Sequence, residues 1–172
     1  KNRIIINIGG ISNLTYLRIN HELIGFDCGP GNLLLDYWIK KNKNKNYDNQ
    51  GKWARTGNII PKLLAEFMKE PFFQKKLPKS TGRELFNSSW LENFDHKNES
   101  PEDIQRTLLE LTAISIGMAI NKYCYAVDEL FICGGGSKNL FLKYRLEQIT
   151  THKVNDTEEL GIPSQSVEAV AF

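Results

Sequence analysis

RIIINIGGISNLTYLRINHELIGFDCGPGN, residues 3–32, carries three strand signals separated by turn signals. Arg3–Ile8 is β-branched and apolar, which predicts a strand. Gly9-Gly10 breaks it. Leu14–Ile19 alternates more weakly and predicts a second strand; Asn20-His21 is a turn, and Glu22–Phe26 predicts a third. Short strands joined by tight turns predict an antiparallel meander. Gly29-Pro30-Gly31 is expected to end the third strand, and Asn32–Ile39 (NLLLDYWI) to open a helix.

Beyond it, Lys40–Asn46 (KKNKNKN) holds Lys40, Lys41, Lys43 and Lys45 with no aromatic between them. A solvated helix end, where lysines suit the negative end of the dipole, accounts for it better than a nucleic-acid patch. Asn58–Lys69 predicts a helix with Pro61 in its first turn. Pro71–Asn98 sets Phe72, Phe73, Phe86, Trp90 and Phe94 among polar residues, as loop and short helix packed on a core. Ser100-Pro101-Glu102-Asp103 reads as a helix start with Ser100 as N-cap. Ile104, Leu108, Leu111, Ile114 and Met118 then fall on one face, widened by Leu109, Ile116 and Ile120, so this helix should be buried on more than one side. Glu129–Cys133 predicts a strand, followed by Gly134-Gly135-Gly136 and a helix from about Lys138 to Ile149. The order β-β-β-α-(α)-α-β-α places the chain in the α/β or mixed class.

The chain has 172 residues, 41% of them hydrophobic, enough for one domain or one lobe of a larger protein. Its net charge of +2 (22 basic against 20 acidic residues) argues against a dedicated nucleic-acid binder. No run of apolar residues is long enough for a membrane span, and no signal segment opens the chain. Cys28, Cys124 and Cys133 form no C-x-x-C pair, which fits small buried thiols in a reduced, cytoplasmic protein. His21, His96 and His152 are isolated, so no zinc site is expected and no residue is assigned to a metal. Position 1 is Lys, already in a strand, and Val167–Phe172 ends in an apolar run. Both ends are therefore expected to be cut from a longer chain.

Three segments have the composition of a site. Asn7–Asn13 (NIGGISN) places paired glycines between strands, where free amides can hold phosphate oxygens; an ordinary hairpin has the same pattern. Gly25–Asn32 (GFDCGPGN) places Asp27 at a strand end before a stiff elbow and a helix start. A helix N-terminus favours anions, so Asp27 should stay ionised, as a general base must; a plain helix-entry cap is the alternative. Ile132–Asn139 (ICGGGSKN) has the strand, glycine run and helix of a nucleotide turn, though it matches neither G-x-G-x-x-G nor a Walker A sequence. All three follow strands and can converge on one cleft at the strand ends.

These segments, in this order, resemble the C-terminal part of the anhydro-N-acetylmuramic acid kinases, members of the actin and hexokinase superfamily. WARTG (53–57), PKSTGRE (78–84) and EAVAF (168–172) match as well. The resemblance implies an RNase H-like α/β ATPase lobe: a mixed sheet starting with a three-stranded antiparallel meander and flanked by helices. It implies that residues 1–172 are the C-terminal lobe of a two-lobe kinase, with the N-terminal lobe and the extreme C-terminus absent. It implies ATP and Mg2+, and conversion of 1,6-anhydro-N-acetylmuramic acid plus water to N-acetylmuramic acid 6-phosphate in cell-wall recycling. Asp27 matches the general base, Glu168 and Asn32 the sugar side, and Gly9, Gly10, Gly134, Gly135 and Gly136 the nucleotide-side turns. A homodimer is implied, without nucleic-acid or membrane partners. Cys28 stands where many relatives have Thr, and Gln50 where relatives often have Asp. No phosphate loop precedes Lys1, so the chain by itself is expected to be inactive. Another sugar kinase of the superfamily, or a non-catalytic nucleotide-binding or dimerisation module, is the alternative.

Overall fold

A computed structural model describes residues 1–164 and 166. Glu168 and the Val167–Phe172 run lie outside the described residues. β1 (Arg3–Ile8), β2 (Ile11–Leu17) and β3 (Ile24–Pro30) form the expected antiparallel meander. α1 (Leu33–Lys43), α2 (Lys52–Thr56), α3 (Pro61–Phe67), α4 (Ser88–Glu92) and α5 (Pro101–Tyr123) follow. β4 (Glu129–Cys133) then pairs parallel with β1, and after α6 (Leu140–Thr150) a short β5 (Val154–Asp156) pairs parallel with β4. The sheet order is β3-β2-β1-β4-β5, a mixed sheet flanked by helices, as the family resemblance implies.

Several boundaries differ from expectation, each for a tertiary reason. β2 starts at Ile11, directly after Gly9-Gly10, and Ser12 pairs with Ile8, so Gly9-Gly10-Ile11 is the loop between that pair. β3 continues through Pro30, which pairs with Ile11; β3 is the sheet edge, where a proline leaves no ladder bond unmade. Asp27 therefore sits inside a strand rather than at its end. α1 runs past Ile39 into the lysine run and stops at Asn44 in the left-handed conformation. Lys40, Lys41 and Lys43 in its last turn are the solvated helix end that was expected. The predicted helix over 58–69 shortens to α3, since Asn58 and Ile60 donate their amides to Asp103 and Thr107 of α5 instead. Ser100 holds the N-cap position of α5 without a side-chain capping bond. The helix predicted from about Lys138 begins at Leu140, because Gly135–Lys138 forms a 3₁₀ turn and Asn139 caps α6.

β1 alternates strictly, with Ile4, Ile6 and Ile8 fully buried. They meet Leu14 and Tyr16 of β2, Leu130 and Ile132 of β4 and the broad face of α5. α5 is buried along most of its length, as its wide apolar face predicts, except that Met118 turns out to solvent. The aromatic segment folds onto this core as a cluster in which Trp90 packs edge-on against Phe86 and Phe94. Its indole N–H is satisfied by Glu70 at 2.9 Å. The three cysteines are free and buried.

Glu110, buried on α5, binds Arg145 of α6 through both carboxylate oxygens at 2.7 and 3.0 Å, and Arg106 at 2.9 Å. Losing one partner of a buried pair leaves the other charge desolvated without compensation. Glu110→Gln should therefore cost about 2–3 kcal/mol in urea unfolding, somewhat below the value for a fully buried pair because Arg145 keeps some solvent. Glu92→Gln, at the exposed Lys41–Glu92 pair, should cost no more than about 1 kcal/mol.

Candidate functional site

Because β1 and β4 are parallel neighbours with Asn7 beside Cys133, the turns after them lie side by side. The hairpin Gly9-Gly10 also docks on the start of α1. The Gly9 carbonyl accepts from the Asn32 amide at 2.8 Å, and the Gly10 carbonyl from the amides of Gly31 at 2.8 Å and Leu33 at 3.1 Å. A β-carbon on Gly31 would run into the Gly9 carbonyl oxygen, so the approach requires glycine there. The first amides at the start of α1 are therefore taken by the hairpin carbonyls.

Gly9, Gly10, Asn32, Asp36, Arg83 and Gly135 line an open groove of about 580 Å³. Four of these, Gly9, Gly10, Asn32 and Gly135, come from the three predicted segments, which do converge. Asn32 turns its side-chain amide to the Ile8 carbonyl at 3.2 Å and so braces β1 against the elbow. The glycine run divides. Gly135 is exposed and faces the groove. Gly134 has φ +78, lies against Asn7 and donates its amide to Ser164 at 3.0 Å, while Gly136 is buried against the Ile8 side chain. Those two have packing reasons to be small.

Asp27, half-buried at the centre of β3, stands opposite Asn13 beside a bulge at which Cys28 of β3 is skipped in the pairing with β2. Its Oδ2 accepts the Thr81 amide at 2.9 Å, and its own amide donates to the Lys79 carbonyl at 3.3 Å. The run 79–81 thus lies along the open edge of the sheet. Asp27 is outside the groove lining, and the same loop carries Arg83 into it. Cys28, next in the strand, lines a separate small cavity of about 50 Å³ with Phe73, Lys79 and Ser115. Burial pushes its thiol up. Lys79 lies over the Phe72 ring at 4.7 Å, and burial lowers its ammonium. The roles of residues 79–83 have no local signal; PKSTGRE marks the segment only as a match to relatives.

Asp36, in the first turn of α1, is the second residue that sequence reasoning missed. Its carboxylate accepts no hydrogen bond among the described residues, and burial, with a smaller contribution from the charge of Asp48, raises it to about 6. Asp48 is itself held by the amides of Trp53 and Ala54, both at 2.9 Å, at the start of α2.

The sequence model of the family described as anhydro-N-acetylmuramic acid kinase matches residues 1–172. Proteins of that name from Nitrosospira multiformis and Coxiella burnetii are 45% and 48% identical to this chain over 99% and 100% of it, and the match covers 47% of each. The chain thus spans about half the length of the curated relatives it matches. Among solved structures, the activator of the 2-hydroxyisocaproyl-CoA dehydratase from Clostridium difficile aligns with a TM-score of 0.60 at 15% identity, over 99% of this chain and 57% of its own. The xylulose kinase from Lactobacillus acidophilus aligns at 0.58 and 12% identity, over 90% of this chain and 34% of its own. The chain shares its fold with these two proteins.

Asp36 generates a test of the groove's electrostatics. A carboxyl that titrates near 6 when folded and near 3.8 when unfolded binds more protons in the folded state between these values. Stability contributed by the protonated form is therefore lost as pH rises from about 4 to about 6. Asp36→Asn should be more stable than the parent at pH 7 by about 1–2 kcal/mol, a figure reduced for partial solvation, and no more stable below pH 4. Thermal or urea melts across this range give the comparison; a pH-independent difference would show that Asp36 is not the titrating group.

Proposed function

The chain belongs to the anhydro-N-acetylmuramic acid kinase family, and on that premise we propose that it is the C-terminal lobe of a two-lobe, ATP-dependent kinase acting on 1,6-anhydro-N-acetylmuramic acid. The reaction adds water across the anhydro bridge and phosphorylates the released oxygen, giving N-acetylmuramic acid 6-phosphate and ADP. The enzyme works in the cytoplasm as a homodimer, in recycling of the cell wall. Among the described residues no helix is long and apolar enough to cross a membrane.

The observation that carries this reading is the mounting of Asp27. One carboxylate oxygen is fixed by the Thr81 amide at 2.9 Å, and its rigid strand runs straight into the elbow locked on the Gly9-Gly10 hairpin. A carboxylate aimed in this way can take a proton from a water as that water attacks the anomeric carbon. The C1–O6 bond then breaks, and O6 takes the γ-phosphoryl group. Gly9, Gly10 and Gly135 leave room for the nucleotide beside the strand ends. Asn32 faces the sugar, with Glu168 expected to join it from outside the described residues.

Magnesium bound with a nucleotide needs only one or two protein carboxylates, the remaining ligands being phosphate oxygens and water. Among the described residues no three acidic, histidine or cysteine side chains gather at a point, which suits that mode better than a resident cage. Asp36, without a hydrogen-bond partner in the groove, is the residue fitted to hold it. When bound, the ion supplies charge neutralisation at the phosphates.

Asp27→Asn keeps an oxygen for the Thr81 amide and removes the basicity. In the two-lobe enzyme it should lower the single-turnover rate by at least about 10²–10⁴-fold, with much smaller changes in sugar and nucleotide affinity. A variant that keeps most of its rate would make Asp27 a structural residue. A matching fall in melting temperature would shift the test to Asp27→Glu. This chain alone should turn over little or nothing, since phosphoryl transfer needs charge clamping from both sides of a cleft.

A further inference from the structure

Arg83 lines the groove, and the reaction outlined above does not use it. It is exposed, and its guanidinium makes no hydrogen bond, ion pair or ring contact among the described residues. It reaches across to the glycine hairpin: Nη2 lies 3.8 Å from the position a β-carbon on Gly10 would take. Its loop, by contrast, is tied down. Thr81 donates to Asp27 at 2.9 Å, the Asn87 side chain donates to the Arg83 carbonyl at 2.9 Å, and the Phe86 amide donates to Gly82 at 3.1 Å. A fixed backbone thus presents an unpaired cation to an open groove.

We propose that Arg83 binds an oxyanion in this groove, a phosphoryl group of the nucleotide or the carboxylate of the muramic acid side chain. The guanidinium offers a planar fork of donors that matches either group with two parallel hydrogen bonds. Asp36 and Lys40 line the groove too, so Arg83 is not its only cation; it is the one whose two-donor fork stands beside the glycine hairpin. Because one short loop both orients the Asp27 carboxylate and carries Arg83, the spacing between base and anion is set by a single element. The inference rests on the reading of the groove as a ligand site.

The test uses the full-length protein containing this chain, titrated calorimetrically with pyrophosphate and separately with N-acetylmuramic acid. Hydrogen exchange of peptides covering 8–11 and 133–136 reports whether the ligand occupies the groove. For one of the two probes, Arg83→Ala should weaken binding by about ten- to hundredfold, the range of one charge-assisted hydrogen bond. Arg83→Lys, which keeps the charge and loses the fork, should recover only part of it. The probe that weakens identifies the anion. If both probes protect the glycine turns and neither loses affinity in Arg83→Ala, the proposal is overturned while the groove stands. If neither probe protects the turns in the parent protein, the groove reading fails and the Arg83 proposal falls with it.

Discussion

Three backbone hydrogen bonds organise the site: the carbonyls of Gly9 and Gly10 accept the amides of Gly31, Asn32 and Leu33. A helix start leaves unsatisfied N–H groups, and a tight hairpin leaves carbonyls that no strand partner takes. Here each set satisfies the other. The contact closes only because Gly31 has no side chain to meet the Gly9 carbonyl. It locks the β1–β2 hairpin to the entry of α1 and so sets the distance between the first and second glycine segments.

From that lock the groove follows. The parallel pairing of β1 with β4 brings the third glycine segment alongside, and Gly136 packs on Ile8 at the end of β1. Gly134 and Gly136 hold the turn tightly against the sheet, which leaves Gly135 facing outward. The glycine run therefore combines two packing positions with one open to the groove.

The edge of the sheet is used as well. β3 is an edge strand, and unpaired edges invite aggregation unless something covers them. The loop at 79–81 covers part of it through bonds to Asp27 at both its amide and its carboxylate. Protecting the edge and orienting a carboxylate are thus done by the same residues. α5, held to α6 by the Glu110 charge cluster, supplies the buried support behind the sheet.

By itself the sequence determined the meander, the long buried helix, the β4–α6 unit and the segments that make the groove. These rest on local signals: period-two alternation in Arg3–Ile8, the wide apolar face after Ile104, and glycine runs at strand ends. Tertiary structure alone decided where those elements stop. Pro30 remains in β3 because it lies at an edge, Asn58–Ile60 stays extended because α5 takes its amides, and three-residue β5 forms only because β4 is there to pair with. It also decided which residues of the site act together. The placing of Arg83 and Asp36 in one groove, and of Thr81 on Asp27, depends on residues far apart in the chain, and no periodicity or composition encodes a contact across such a separation.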